Sequence, residues 1–428
     1  MRVVVVVVAA LLSLAAAAQP LPPAAPESAG FSREGLARID QFFEREMAAK
    51  RVPGGVVAIA RDGKLVYYKS FGTIDPATSV PMPLDAIFSL ASMTKPMVAA
   101  SALELTEQGR LPLKSRLDEY FPAFGQDKTV GVVSAAADAK PEKARPIFIQ
   151  DLFRHTAGIA YGNRGDTPVH RMYPASSAGS GVRYTGDEFI AQVAPLPLIY
   201  QPGTVWEYSL SVDVLGLVVE KVAGERLDAY MRRALWGPLG MRDTRFVLDA
   251  AQRARVAHPL PNDPLTGKPQ HLELIEHTAR FDCAGGCAFG TVGDYVRFGQ
   301  MLLDGGVLDG KRVLSPKTVQ LMTSDALGPN IKNNVALIEP DKDGFGFGLT
   351  VAVRMHAGVA AIPGSIGMYT WNGANGTIWW NDPAEHLVVV VGTAAPGELR
   401  KRYRNQFADM VYGAMVKSYV PAGERLGR

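Results

Sequence analysis

Two hairpin signals, one near each end of the chain, restrict the fold more than any other feature of the sequence. In GVVAIARDGKLVYYKSFG, residues 55–72, β-branched and aromatic runs flank Asp62-Gly63. A tight primed turn needs positive φ at both central residues, which Asp-Gly supplies. Far along the chain, GTIWWNDPAEHLVVVVGTA from Gly376 reads as a second hairpin that turns over Asn381 to Glu385. GFGFGLTVAV from Gly344 adds one more strand. A lone hairpin is at best marginally stable, so the economical solution is one antiparallel sheet assembled from both chain ends.

Each end also carries a helix to cover that sheet. Leu36, Ile39, Phe43 and Met47 recur at three- and four-residue steps behind a Ser32 cap, and Gly54 follows the helix end. A last helix is expected from about Glu398 to Ser418. Between the ends lie helical patterns and long loops. The expected fold class is therefore α/β in the α+β sense, with residues 19–428 forming one domain. Its sheet part spans about 30–91 and 339–418, and an inserted, mostly helical part spans 92–338. Clefts favour such junctions, so a binding site is expected where the two parts meet.

Composition narrows the function classes. The 45 Lys and Arg nearly balance the 42 Asp and Glu, and no basic stripe is present, which argues against a nucleic-acid partner. The start, MRVVVVVVAALLSLAAAAQP, has one basic residue, an apolar run and then small residues. That is the plan of a cleaved secretory signal over residues 1–18, with Ala16 and Ala18 at the small-residue positions. The apolar run is short for a membrane span, so no stable span is expected after cleavage, an uncleaved anchor being the alternative. The mature chain is expected to be periplasmic or secreted.

The two cysteines, Cys283 and Cys287, lie in FDCAGGCAFGT. An exported compartment permits a disulfide between them, and the Gly-Gly permits the tight turn it needs. Two buried free thiols are the alternative. A metal site would need two further ligands at sensible spacing, which the neighbourhood lacks, so neither metal nor organic cofactor is expected.

The chemistry centres on FSLASMTKPMVAA, residues 88–100, where Ser92 and Lys95 stand three apart at the start of a helical pattern. S-x-x-K alone is weak: about one copy is expected by chance in a chain of this length. One reading is a serine helix cap with a surface lysine. The other is a nucleophile at a helix N-terminus, where unpaired N–H groups and the dipole favour an oxyanion, with a desolvated lysine one turn on to activate it. Tyr208 in WEYSLSVDVLG precedes a second helical pattern. A tyrosine near a lysine is acidified and can pass the serine proton to a leaving group; otherwise it simply covers the helix start. No G-x-S-x-G occurs, the seven histidines form no H-E-x-x-H, and no glycine-rich nucleotide motif opens a helix.

These segments, with IQDLFRHTAGI at 149–159, PGTVWEYSLSVDVLG at 202–216, DYVRFGQMLLDGG and YTWNGANGTIWW, follow one another in a familiar order. The chain resembles the class C β-lactamase-like serine hydrolases, and within them most closely the family VIII carboxylesterases, over roughly Glu34 to Val416. The resemblance implies a β-lactamase/transpeptidase-like fold. It makes Ser92 the nucleophile, places Lys95 and Tyr208 in one proton network, and gives the Ser92 and Ala374 N–H groups to an oxyanion hole. Trp371-Asn372-Gly373 matches the family's third motif on the sheet's edge strand. Two departures matter. Leu210 replaces the Asn of Y-x-N, and Trp371-Asn372-Gly373 replaces Lys-Thr-Gly, so the groups that grip a β-lactam are missing at these positions.

An apolar Leu210 and a bulky Trp371 suit a neutral ester. The expected activity is carboxylic ester hydrolysis through an acyl-enzyme on Ser92, with Leu210, Trp371, Asn372 and Gly373 touching a small-molecule ester or amide substrate. A β-lactamase or D,D-peptidase is the enzymatic alternative, and a non-catalytic, penicillin-binding-like envelope protein the other. His155 is read as tying a loop by hydrogen bonds, and Trp206 and Tyr369 as either pocket lining or core. The Cys283–Cys287 segment is expected near the active-site wall.

Overall fold

The computed structural model describes residues 20–125, 128–130 and 142–421, so the expected signal segment at 1–18 lies outside the described residues. The Ser32 hydroxyl accepts the Gly35 N–H at 3.1 Å and starts helix α1, Arg33–Ala48. Helix α1 buries Leu36, Ile39, Phe42 and Phe43 on one face. Strands β1, Gly54–Arg61, and β2, Lys64–Gly72, then pair across a turn in which Asp62 has φ 51° and Gly63 φ 71°. These are the positive angles that Asp-Gly was expected to supply.

A short strand β3, Ile87–Ser89, leads into helix α2, Thr94–Glu107. Helix α2 packs against α3, Ser211–Ala223, in the interior of the helical part. Strand β4, Phe289–Thr291, pairs with β3 and runs into helix α4, Val292–Leu303. Strands β5, Phe345–Phe347, β6, Ala352–Arg354, β7, Tyr369–Asn372, β8, Ile378–Asp382, and β9, Leu387–Thr393, precede the last helix α5, Leu399–Gly413.

The main sheet has seven strands in the order β2-β1-β9-β8-β7-β6-β5, every neighbour antiparallel. The two chain ends meet inside it, one strand in from the β2 edge, where β1 runs against β9 from Gly55 opposite Thr393 to Arg61 opposite Leu387. The Gly344 segment differs from the single strand expected: it turns back at Thr350, φ 72°, and forms both β5 and β6. Those two strands extend the sheet past β7. Trp371 therefore lies on an inner strand, not on the edge strand that the resemblance implied.

Helices α1 and α5 cover one face. Phe42 meets Phe407 at 4.9 Å and Tyr403 at 5.1 Å between ring centroids, and Phe43 stacks on Phe71 at 4.3 Å. The terminal helices do not cover the sheet alone, because α4 from the middle of the chain packs across β1 and β9 on the other face. This explains why β1 and β9 are buried at every residue and read as continuous apolar runs.

Candidate functional site

Ser92 lies in the single 3-10 turn Ala91–Met93 between β3 and α2. Ala91, immediately before it, has φ 45°, a left-handed conformation that costs energy for a residue with a Cβ. Such strain persists where the surroundings over-determine it, and it clusters at functional sites. Here the surroundings are identifiable. The Thr377 hydroxyl donates to Leu90 O at 3.1 Å, the Asn375 amide donates to the Ser89 hydroxyl at 2.9 Å, and β7 packs beside the turn. Neither the Ser92 nor the Ala374 N–H donates to a backbone acceptor among the described residues, which leaves both for an oxyanion.

Lys95, in the first turn of α2, is fully buried. Its ammonium donates to Ser92 Oγ at 3.3 Å, Tyr161 Oη at 3.2 Å and Gly285 O, with the Tyr208 hydroxyl as a further neighbour. The direction of the further bonds is fixed by counting protons. Ser177 Oγ spends its one proton on Asp213 Oδ2 at 2.7 Å, so Tyr161 must donate to Ser177, also at 2.7 Å, and Lys95 to Tyr161. Asp213 Oδ1 accepts the Gly285 N–H at 2.9 Å. A buried lysine thus reaches a buried carboxylate through two hydroxyls. Burial opposes the Lys95 charge, but Tyr161, Tyr208 and Asp213 outweigh it and hold its pKa above the ordinary lysine value. Burial likewise pushes the Asp213 carboxyl and the Tyr161 phenol up.

The segment that carries Gly285 O is bracketed by Cys283 and Cys287, which are joined as a disulfide. Position 285 admits no side chain, because a Cβ there would collide with Ser177 Oγ and Asp213 Oδ2. The cysteine loop therefore does more than flank the site: it supplies the carbonyl that holds Lys95.

Tyr208 is buried except for its edge on the cleft, and its oxygen accepts the Trp371 indole N–H at 3.1 Å. The Lys95 nitrogen lies 4.7 Å from its ring centroid. Behind the ring stands His155, 4.8 Å away between centroids, with Nδ1 at 3.1 Å from Ser209 Oγ. Burial, assisted by the Lys95 charge, holds the His155 pKa well below its ordinary value, so this imidazole is neutral. It packs and bonds behind Tyr208 and does not reach the cleft.

Ser92, Tyr208 and Ala374 open onto two clefts. One is completed by Trp371 and Asn372, together with Arg164, Glu339, Lys342, Arg400 and Arg404. The other is lined by Tyr161, Ala175, Ala178, Leu272, Leu274 and the Gly285-Gly286 backbone, among others. Leu210 lines neither. It is fully buried at the start of α3, because the turn that presents Tyr208 directs the next alternate residue into the core. Gly373 is buried against Thr377 and Leu90, where a Cβ would not fit, and serves the backbone turn rather than a substrate. Trp206 and Tyr369 are core residues, packed on Phe347 and Trp379.

Sequence reasoning missed Tyr161, Ser177, Asp213 and the basic residues of the first cleft. Asp213 alone left a signal, as the single acid inside the apolar run SVDVLGLVV.

With this geometry in hand, a sequence model described as Beta-lactamase matches residues 39–411. Protein Rv1367c of Mycobacterium tuberculosis is 34% identical over 79% of this chain and 84% of its own length. Esterase EstB of Burkholderia gladioli is 28% identical over 83% of this chain and 90% of its own. The solved structure of EstCE1, a hydrolase with promiscuous acyltransferase activity, superposes with a TM-score of 0.72 at 28% identity, covering 89% of this chain and 99% of that one.

Proposed function

The chain belongs to the β-lactamase family, and from that premise we propose that it is a serine esterase working through an acyl-enzyme on Ser92. The observation that carries this reading is the commitment of all three Lys95 donors, one of them to Ser92 Oγ. A lysine so placed is an ammonium with no lone pair to accept a proton. The acceptor is then the Tyr208 oxygen, which shares both clefts with Ser92 and is oriented by the Trp371 N–H.

In this scheme Tyr208 enters as the phenolate, its charge balanced by the Lys95 ammonium, and the Ser92 oxygen bonds to the ester carbonyl carbon while its proton passes to that phenolate to give the neutral phenol. The carbonyl oxygen gathers the negative charge beside the Ser92 and Ala374 N–H groups, with the Lys95 ammonium close by. Collapse breaks the carbon–alkoxide bond, and the departing alkoxide takes the proton back from Tyr208. Water then repeats the sequence on the acyl-enzyme and releases the acid, so no metal or organic cofactor is called for.

Ester rather than β-lactam is supported by Trp371, which fills the place of a motif lysine and spends its indole N–H on Tyr208. EstB and EstCE1 share the ester or hydrolase description. We place the activity outside the cytoplasm, a reading supported by the basic-then-apolar start of the chain and by the paired cysteines. The test is turnover of p-nitrophenyl acetate, butyrate and octanoate beside a chromogenic cephalosporin, with Ser92→Ala as control. Ester turnover should dominate and vanish in Ser92→Ala. Cephalosporin turnover well above ester turnover would reverse the assignment.

A further inference from the structure

The loop closed by Cys283 and Cys287 reaches much of the catalytic assembly through its backbone. Gly285 O accepts from the Lys95 ammonium, and the Gly285 N–H donates to Asp213 Oδ1 at 2.9 Å. The relay from Lys95 to Asp213 thus closes on itself at one residue. Gly286 lies against the strained turn before Ser92: a Cβ there would sit 3.6 Å from the Ala91 carbonyl carbon. One residue past the loop, the Ala288 N–H donates to the Thr94 hydroxyl at 3.1 Å, and Ala288 O accepts the Leu90 N–H at 3.0 Å. Gly285 and Gly286 also form part of the wall of the second cleft.

Such a loop needs a stiff backbone, and its own residues do not supply one. Ala284, Gly285 and Gly286 offer no polar side chain, and glycine has the most conformational freedom to lose on ordering. Side-chain anchors stand on either side. Before the loop, Asp282 pairs with Arg226 at 2.6 Å and accepts the Asp228 N–H at 3.1 Å; after it, Ala288 is fixed by Thr94. Between them the disulfide is the one cross-link the chain can form, since it has two cysteines. Its sulfurs are enclosed. Both cysteines are fully buried, and Cys287 Sγ lies 3.9 Å from Ser177 O. The helix Ser177–Arg183 meets them at Gly181, where a Cβ would come within 2.4 Å of Cys283 Sγ. Two thiols must stand at van der Waals distance, and packing this tight leaves them room only if the loop shifts.

We propose that the Cys283–Cys287 disulfide is a positioning element of the hydrolase: it holds Gly285 O on Lys95, and its reduction turns the enzyme down without unfolding it. The inference rests on the acyl-enzyme reading above and adds a redox condition to it. On oxidation, an external disulfide takes two electrons and two protons from the Cys283 and Cys287 thiols and becomes a dithiol as the S–S bond forms. On reduction, a dithiol attacks one sulfur and leaves as its own cyclic disulfide, returning two protein thiols. Full activity then belongs to an oxidising compartment. The bond joins residues only four apart, so it closes a small loop and carries little of the fold.

The test compares three forms on p-nitrophenyl butyrate: the oxidised protein, the protein reduced with dithiothreitol, and a Cys283→Ala/Cys287→Ala variant. Mass after alkylation counts the thiols, and far-UV circular dichroism with urea melts reports the fold. Reduction should lower kcat by about tenfold or more, the worth of one charge-assisted hydrogen bond. KM should change by less than about threefold, the pattern of a weakened transition-state interaction. The alkaline limb of the pH–rate profile should move to lower pH, because a carbonyl accepting from the ammonium favours the charged lysine. Reoxidation with oxidised glutathione should restore both, and the variant should match the reduced protein. If the buried bond resists dithiothreitol, the variant alone decides. Full kcat with an unshifted profile in either folded form would overturn this inference and leave the esterase intact. A loss of activity that only follows loss of the fold would overturn it too, making the bond a staple. If the oxidised protein turns over no ester, the esterase reading falls and takes this inference with it.

Discussion

At the scale of single residues, the site is organised around one charge that must not move. Lys95 donates to Ser92, Tyr161 and Gly285, and the chain of hydroxyls behind it ends on Asp213. Asp213 touches no substrate in this scheme; it positions Lys95 and keeps it charged. Asp213→Asn should therefore lower kcat by about 10- to 100-fold with a smaller change in KM, the pattern of a lost transition-state interaction. It should also move the alkaline limb of the pH–rate profile to lower pH. The sign follows because Asp213 holds the Lys95 pKa up, and removing the carboxylate lets the proton leave sooner. A folded Asp213→Asn enzyme with an unshifted profile would contradict this role. Ser92 and Lys95 were legible as a closely spaced pair, whereas Tyr208 and Ala374 took their places only through the resemblance to the serine hydrolases, since no local spacing links them to Ser92. Tyr161 and Ser177 were not legible, since each joins the network through contacts between segments that no local pattern links.

At the scale of elements, the Asp62-Gly63 turn and the amphipathic α1 could be read directly, because local backbone and periodicity determine them. The split of the Gly344 segment into β5 and β6 could not, because a glycine-rich apolar run carries no register of its own. Nor could the placing of α4 against the sheet, a tertiary fact about a helix with an ordinary pattern. That packing leaves a mark on acid stability. Asp294, in the first turn of α4, accepts the Asp243 N–H and the Thr244 hydroxyl, each at 2.9 Å. Burial pushes its carboxyl up to about 6. A pKa raised on folding gives a stabilising contribution that is complete below the unfolded value and lost as pH rises through the folded one. Stability from this group should fall between about pH 4 and pH 6, by at most about 1.4 kcal/mol per pH unit. Urea melts across that window should show the slope in the wild type and a flatter profile in Asp294→Asn; identical slopes would contradict the assignment.

At the scale of the whole molecule, the fold depends on closing a sheet whose strands come from opposite ends of the chain. Arg61 secures that closure. It is fully buried at the end of β1, pairs with Glu385 in the second hairpin's turn at 2.6 Å, and donates to Ala29 O at 3.0 Å and Lys417 O at 2.7 Å. One side chain thus ties the segment before α1, the turn before β9 and the segment after α5. Arg61→Met leaves the Glu385 charge buried without its partner and should cost about 3–5 kcal/mol, read as a lower urea midpoint. A loss below about 1 kcal/mol would show that the closure does not depend on it. The same closure sets the loop after β7 beside the Ser92 turn, so the reacting atoms exist only once both ends are joined. The most direct test of the whole account is covalent: treat the protein with a p-nitrophenyl phosphonate ester and map the adduct by peptide mass spectrometry. The account predicts one phosphonyl group per chain, on Ser92, with stoichiometric loss of esterase activity. An adduct on another residue, or undiminished turnover in Ser92→Ala, would contradict it.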